Sequence, residues 1–176
     1  MGPSTESTSF FLDADGALEP QFRLAFEFAA EALGVGKNGV HVLVNRAHLA
    51  MFGYQRPEEV IGRPILDLVA PSKHAEVIAL IAHRDRGQPL PRVLLTRGLH
   101  RDGHEFDLEA HISHFTQEGE TYTLVSMRDV TERLRAAEKL RQAQMVLDNS
   151  QVVVYRVRAG PDLKIEFVSD NVAQIG

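Results

Sequence analysis

Cysteine is absent from all 176 residues of the chain. Disulfides, thiolate nucleophiles and cysteine-ligated zinc are therefore excluded. No apolar run approaches the roughly 18 residues that a membrane-spanning helix requires, and the first residues do not read as a secretory leader. A basic face for nucleic acid is also missing, because the net charge is −5 with both signs interspersed. The chain has no phosphate-binding glycine loop, no nucleophile elbow and no His-Glu-x-x-His zinc helix. These absences lead to an expectation of a non-enzymatic, cytoplasmic protein that contacts neither nucleic acid nor membrane.

What is present is an ordinary globular composition, 44% hydrophobic, with room for one domain and some extra. Residues 1–18 are small and polar and read as a flexible segment; the apolar patch Phe10-Phe11-Leu12 within it has no assigned role. From Glu19 to about Leu33 the apolar spacing predicts a helix. Lys37-Asn38-Gly39 supplies residues that tolerate positive φ, so a hairpin is expected, with Val40–Val44 as its second strand. Asn45 opens a run of short helices punctuated by Gly53, Gly62 and Pro64. Ser72 is the expected cap of a helix over about 73–84. Two strands follow, over 92–100 and 104–114. In the second, Phe106, Leu108, Ala110 and Ile112 share one face and Glu105, Asp107, Glu109 and His111 the other. Gln117-Glu118-Gly119 turns the chain into a last strand, Tyr122 to Asp129.

That strand runs directly into a charged, alanine- and leucine-rich helix over 131–148, with Thr131 as its expected cap and Glu132 suiting the positive helix end. Val130, Ala137, Leu140 and Leu147 have heptad-compatible spacing, with Gln144 at one interface position. Residues 149–176 begin a second unit: a strand from Val152, a turn at Ala159-Gly160-Pro161-Asp162 and a paired strand at Ile165–Val168. The whole predicts an α+β fold, with a five-stranded antiparallel sheet, short helices on one face, an N-terminal helix and a C-terminal linker helix.

Five stretches carry a family resemblance. They are Val44-Asn45-Arg46-Ala47, Phe52-Gly53-Tyr54, Pro57-Glu58-Glu59-Val60-Ile61-Gly62, Arg101-Asp102-Gly103 followed by Glu105-Phe106, and Met127-Arg128-Asp129-Val130-Thr131-Glu132-Arg133. In this order, over about residues 22–134, they resemble bacterial PAS sensor domains, many of which close on Asp-(Ile/Val/Leu)-Thr-Glu-Arg. The resemblance implies a PAS domain over 19–130, a signalling helix over 131–148 and a truncated second PAS domain over 149–176. It also implies a sensory module of a histidine kinase or diguanylate cyclase. Such a module binds a small ligand or cofactor beneath its sheet, relays its state through Arg128, Asp129, Val130 and Thr131 to a downstream signalling domain, and pairs with a second copy through the helices. The alternatives are a ligand-free dimerisation scaffold and a haem-based gas sensor. The cofactor is left open, with haem and flavin as candidates beside a metabolite or none; without cysteine the cysteinyl-flavin adduct of the light-oxygen-voltage branch cannot form.

Periodicity and resemblance together give the expected pocket lining as His74, Ile78, Ile81, Leu95, Leu108, Ile112, Leu124 and His41. His74, Ile78 and Ile81 fall on one helical stripe, and haem members of the family carry their iron ligand on this helix. The stretch before His74 is instead like members without haem, which would leave His74 solvated in the first turn. Simple alternation puts His41 outside, whereas the family turns this position towards the cavity. His111 and His114 fall on opposite strand faces and cannot jointly hold a metal. His100 and His104 flank a turn, with no third ligand nearby in sequence. The resemblance also pairs a glutamate of Glu58-Glu59 with Arg101, as a structural contact.

Overall fold

The computed structural model describes residues 20–88, 91–117, 119–148, 155–158 and 164–168. The N-terminal segment with Phe10-Phe11-Leu12, the start of the strand expected at Val152 and the Ala159–Asp162 turn lie outside these residues. The chain forms two compact units, divided between Thr131 and Glu132.

In the first unit, helix α1 (Pro20–Glu27) is followed by strands β1 (Ala32–Lys37) and β2 (Val40–Val44) and helix α2 (Arg46–Phe52). Three 3-10 turns (Pro57–Glu59, Ile65–Leu68, Pro71–Lys73) lead to helix α3 (His74–Asp85). Strands β3 (Val93–Leu99), β4 (Glu105–Gln117) and β5 (Glu120–Asp129) complete a five-stranded antiparallel sheet in the order β2-β1-β5-β4-β3. The first helix is shorter than its apolar spacing predicts. Ala32 onward is strand instead: Gly34 and Gly36 are poor helix formers, and the segment pairs with both β2 and β5.

The β1–β2 turn is built on Asn38 (φ 50°) and Gly39 (φ 78°), both in the left-handed region the hairpin needs. Beyond it the ladder slips. Gly36 pairs with His41 but Val35 pairs with Leu43, so Val42 is an extra residue, a β-bulge. Both sheet edges are covered by the segment between α2 and α3. At β2, His41 N–H donates to the Arg63 carbonyl at 3.0 Å; at β3, Ala70 N–H donates to the Arg97 carbonyl at 2.9 Å. This segment therefore crosses the sheet and closes its two unpaired margins.

The core lies between the inner face of the sheet and α2 with the turns after it, around Phe52, Val60, Leu68 and Phe106. Phe52 and Phe106 meet at a ring distance of 5.3 Å. Asn45 joins three elements. Its Oδ1 accepts the amides of His48 and Leu33, both at 2.9 Å, and its Nδ2 donates to the carbonyls of Phe26 and Glu31. It caps α2 as a sequence signal of this kind should, and it also ties α2 to the entry into β1. Ser72 does not cap α3. The 3-10 turn at Pro71 feeds straight into the helix, with His74 N–H donating to the Pro71 carbonyl, so that position needs no side-chain acceptor.

The second unit contains helix α4, which spans Thr131–Asp148 from the junction, and a two-stranded antiparallel hairpin, β6 (Tyr155–Arg158) with β7 (Lys164–Val168). No helix among the described residues is long and apolar enough to cross a membrane.

Candidate functional site

Under the sheet is a cavity of about 140 Å³. One wall is α3, through Val77, Leu80, Ile81 and Arg84, the i, i+3, i+4, i+7 stripe of a helix. The opposite wall is sheet: Leu94 and Thr96 of β3, Leu108, Ala110 and Ile112 of β4, and Thr123, Val125 and Met127 of β5. On β1 the floor is Gly34 and Gly36, which have no side chains to fill the space. A Cβ on Gly36 would stand 2.8 Å from Ile65 Cδ1, and one on Gly34 would stand 3.1 Å from the His48 ring.

The strand registers set the polar groups in order. His41, Gly36, Thr123 and His114 form one row across four strands. At its solvent end Thr123 Oγ1 accepts from Arg84 at 3.1 Å and meets His114 Nδ1 at 3.1 Å. At its other end His41 is buried, and the edge of its ring meets buried His48 of α2 at a centroid distance of 5.6 Å. Neither nitrogen of His48, nor Nε2 of His41, nor Oγ1 of Thr96 has a hydrogen-bond partner among the described residues. Burial holds both rings neutral: it pushes His41 down to about 4, and burial with His41 nearby pushes His48 down to about 3.

Of the expected lining residues, Ile81, Leu108, Ile112 and His41 stand at the cavity. The bulge at Val42 explains His41: it breaks the alternation, so His41 and Val44, three apart, are both buried. Ile78 is 51% exposed, one position off the stripe that α3 turns inward. Leu95 is 54% exposed, because Leu94 and Thr96 take the inward phase opposite Ala110 and Leu108. Leu124 is on the far face of β5, since Met127 pairs with inward Ala110 and Thr123 and Val125 share its phase. His74 is not a lining residue. Its Nε2–H donates to the Val69 carbonyl at 2.9 Å, which occupies that nitrogen with a proton. His48, Thr96, Arg84 and His114 were not expected. For His48 the signal is its place four residues before Phe52 on a helix capped at Asn45, which puts the two side chains on one face.

Two surface features complete the picture. Asp102 supplies the third group that the His100/His104 turn lacked in the sequence reading: its Oδ1 is 2.9 Å from His100 Nδ1 and 2.6 Å from His104 Nδ1. The His104 amide, then His100, pull the Asp102 carboxyl down to about 2. Of the two glutamates it is Glu59 that faces Arg101, at 3.6 Å.

The expected relay residues meet at the root of α4. Asp107, on β4, uses both main-chain groups there: its carbonyl accepts Val130 N–H at 2.9 Å and its N–H donates to Thr131 Oγ1 at 2.8 Å. Thr131 is thus not the helix cap; its hydroxyl oxygen serves the strand, and Asp129 Oδ1 accepts the Thr131 amide at 2.8 Å. Arg128 pairs with Glu31 at 2.8 Å. Val130 is buried in the first unit, so it is not available to the heptad seam expected of it.

The model for the PAS domain matches residues 31–132. The chain belongs to the PAS-domain family. A PAS domain is a sensory module, not a catalytic one. Among solved structures, a PAS domain from Colwellia psychrerythraea is 25% identical with a TM-score of 0.56, over 64% of this chain and 97% of that one. An RNA-binding light-oxygen-voltage receptor is 27% identical with a TM-score of 0.60, over 72% of this chain and 37% of the receptor. A PAS domain from a two-component sensor histidine kinase shares the fold at 18% identity, with a TM-score of 0.51, over 62% and 96%. No curated protein matches the chain.

Haem and flavin need walls that admit them, and about 140 Å³ is well below the roughly 300–1,000 Å³ of drug-sized ligand sites. With the walls where they stand neither group fits, and His74 does not face the space.

Proposed function

We propose that this PAS domain is the regulatory module of a bacterial signal-transduction protein of the histidine kinase or diguanylate cyclase type. It binds a small molecule in the cavity, works in a cytoplasmic setting and passes the state of the cavity to α4, through which two copies pair and a downstream domain is controlled. The observation that carries this reading is an adjacency on β4. Leu108 lines the cavity, and its neighbour Asp107 holds Val130 and Thr131 through its main chain. A change in the cavity wall is therefore one residue from the helix root. The mechanism is a shift between two populations, and biasing it tenfold requires the ligand to prefer one state by about 1.4 kcal/mol. Leu140, on the expected heptad seam and 69% exposed, supports pairing of α4 with another helix. The β6–β7 hairpin is read as the start of a second PAS domain.

Filling the cavity tests the relay without any ligand. In the 176-residue chain carrying Ala110→Leu, amide exchange of Val130 to Arg135 should change by at least about threefold while far-UV circular dichroism stays the same. Unchanged exchange there, with the added side chain shown to occupy the cavity, would refute the relay.

A further inference from the structure

The turn between β3 and β4 gathers three metal-ligating side chains away from the cavity. His100 N–H donates to the His104 carbonyl at 2.9 Å, so the two residues are cross-strand neighbours with side chains on one face. Gly103, at φ 93°, closes the turn, and its N–H donates to the His100 carbonyl at 2.9 Å. Asp102 stands between the histidines. Their rings stack at a centroid distance of 4.4 Å with 24° between the planes, and both present Nδ1 to Asp102 Oδ1, at 2.9 Å and 2.6 Å. Two imidazoles and a carboxylate thus converge, with ligand atoms within 4.8 Å of one another.

The turn is held from behind and open in front. Arg101 N–H donates to the Phe52 carbonyl at 3.0 Å, and the Arg101 guanidinium donates to the Gly53 carbonyl at 3.3 Å, which fastens the turn to the end of α2. A Cβ on Gly53 would run into His100 Nε2, so that edge of the ring is taken up in packing and Nδ1 is the edge turned to Asp102. The side chains of Asp102 and His104 are 60% and 58% exposed, and that of His100 is 20% exposed. An ion can reach this group from solvent.

The donor set narrows the ion. Imidazole nitrogens suit zinc and its transition-metal neighbours, whereas Mg²⁺ takes oxygen. With metal–ligand bonds of about 2.0–2.2 Å, two ligand atoms on a tetrahedral zinc ion stand roughly 3.4 Å apart. Each nitrogen therefore needs to withdraw from Oδ1 by less than ~1 Å, a small rotation of exposed side chains. Three protein ligands leave a fourth position for water.

We propose that His100, Asp102 and His104 form a surface site for a divalent transition-metal ion of the zinc type. The site is separate from the cavity and does not depend on the sensor reading above.

The experiment titrates the 176-residue chain with Zn²⁺ at pH 7.5 by calorimetry and follows the histidine ring nitrogens by NMR. One ion per chain should bind, with the ring signals of His100 and His104 shifting together. His104→Ala and Asp102→Ala should each weaken binding at least about tenfold, since even partners outside a metal's ligand shell are worth roughly 10–100-fold. His111→Ala, at an exposed histidine paired with Glu109 on β4, should leave it unchanged. Far-UV circular dichroism checks that the variants, all at exposed side chains, keep the fold. Zn²⁺ affinity unaltered in His104→Ala would overturn the proposal. Mg²⁺ binding as tightly as Zn²⁺ would overturn it too, in favour of general attraction to an acidic chain. Absence of Zn²⁺ binding would also overturn it, leaving Asp102 as a carboxylate that only fastens two histidines.

Discussion

Thr131 gives its hydroxyl oxygen not to the helix it begins but to the Asp107 amide of the neighbouring strand, at 2.8 Å. The side chain is buried, so the bond is shielded from water. With the Val130 N–H bond to the Asp107 carbonyl, it fastens the first residue of α4 to β4 through both main-chain groups of Asp107.

Removing the hydroxyl isolates this contact. Thr131→Val keeps the shape and leaves the Asp107 amide without its acceptor, which should cost about 1–3 kcal/mol. Thr131→Ser should cost clearly less. Urea denaturation of the two variants checks the order, and faster exchange at the Asp107 amide in the valine variant checks the cause.

Asn45→Ala should be more damaging than loss of an ordinary helix cap, which costs about 1 kcal/mol. The Asn45 side chain serves four main-chain partners in α1, the entry to β1 and α2, and the variant leaves all of them unpaired. A loss above about 2 kcal/mol is expected from the denaturation midpoint. A loss no greater than that of a surface cap would show that water replaces these bonds.

Acid should weaken the fold through His41 and His48. In the unfolded chain both rings take a proton near pH 6.5; in the fold, burial holds them to about 4 and about 3. Between those limits the unfolded state binds more protons, so stability is full above about pH 6.5 and falls as the pH drops towards 4. Each histidine contributes at most about 1.4 kcal/mol per pH unit. Thermal unfolding at pH 7.5 and 5.0 should show the loss, and His41→Ile should shrink it.

Pairing through α4 should depend on its exposed apolar residues. Leu140→Arg should weaken self-association at least about tenfold by light scattering, with the unfolding of the first unit unchanged. An equally dimeric variant would place the contact elsewhere. Two to three heptads are marginal on their own, so the effect of a single charge should be large.

The fold was legible because β4 alternates cleanly and the turns carry their glycines. Half of the expected lining residues stand at the cavity; His74 is instead bonded to the Val69 carbonyl, and Ile78, Leu95 and Leu124 are out of phase. On β3 both phases contain a leucine, and on α3 two apolar stripes lie one residue apart, so hydrophobicity alone cannot choose between them. For β5 the choice is made by register against β4, a long-range property that no local pattern holds. His41 was hidden by a bulge that adds a single residue to β2. The joint between Asp107 and Thr131 shows the same limit: the motif marks the place, but a good capping residue was spent on a neighbouring strand.

The bare floor at Gly34 and Gly36 implies two unequal routes by which relatives of this chamber can change what they admit. A methyl at Gly36 would press on the free end of Ile65, which can swing aside, whereas one at Gly34 would press on the packed ring of His48. Selection for a smaller guest can therefore act at the first glycine with little disturbance, while the second must change together with its histidine.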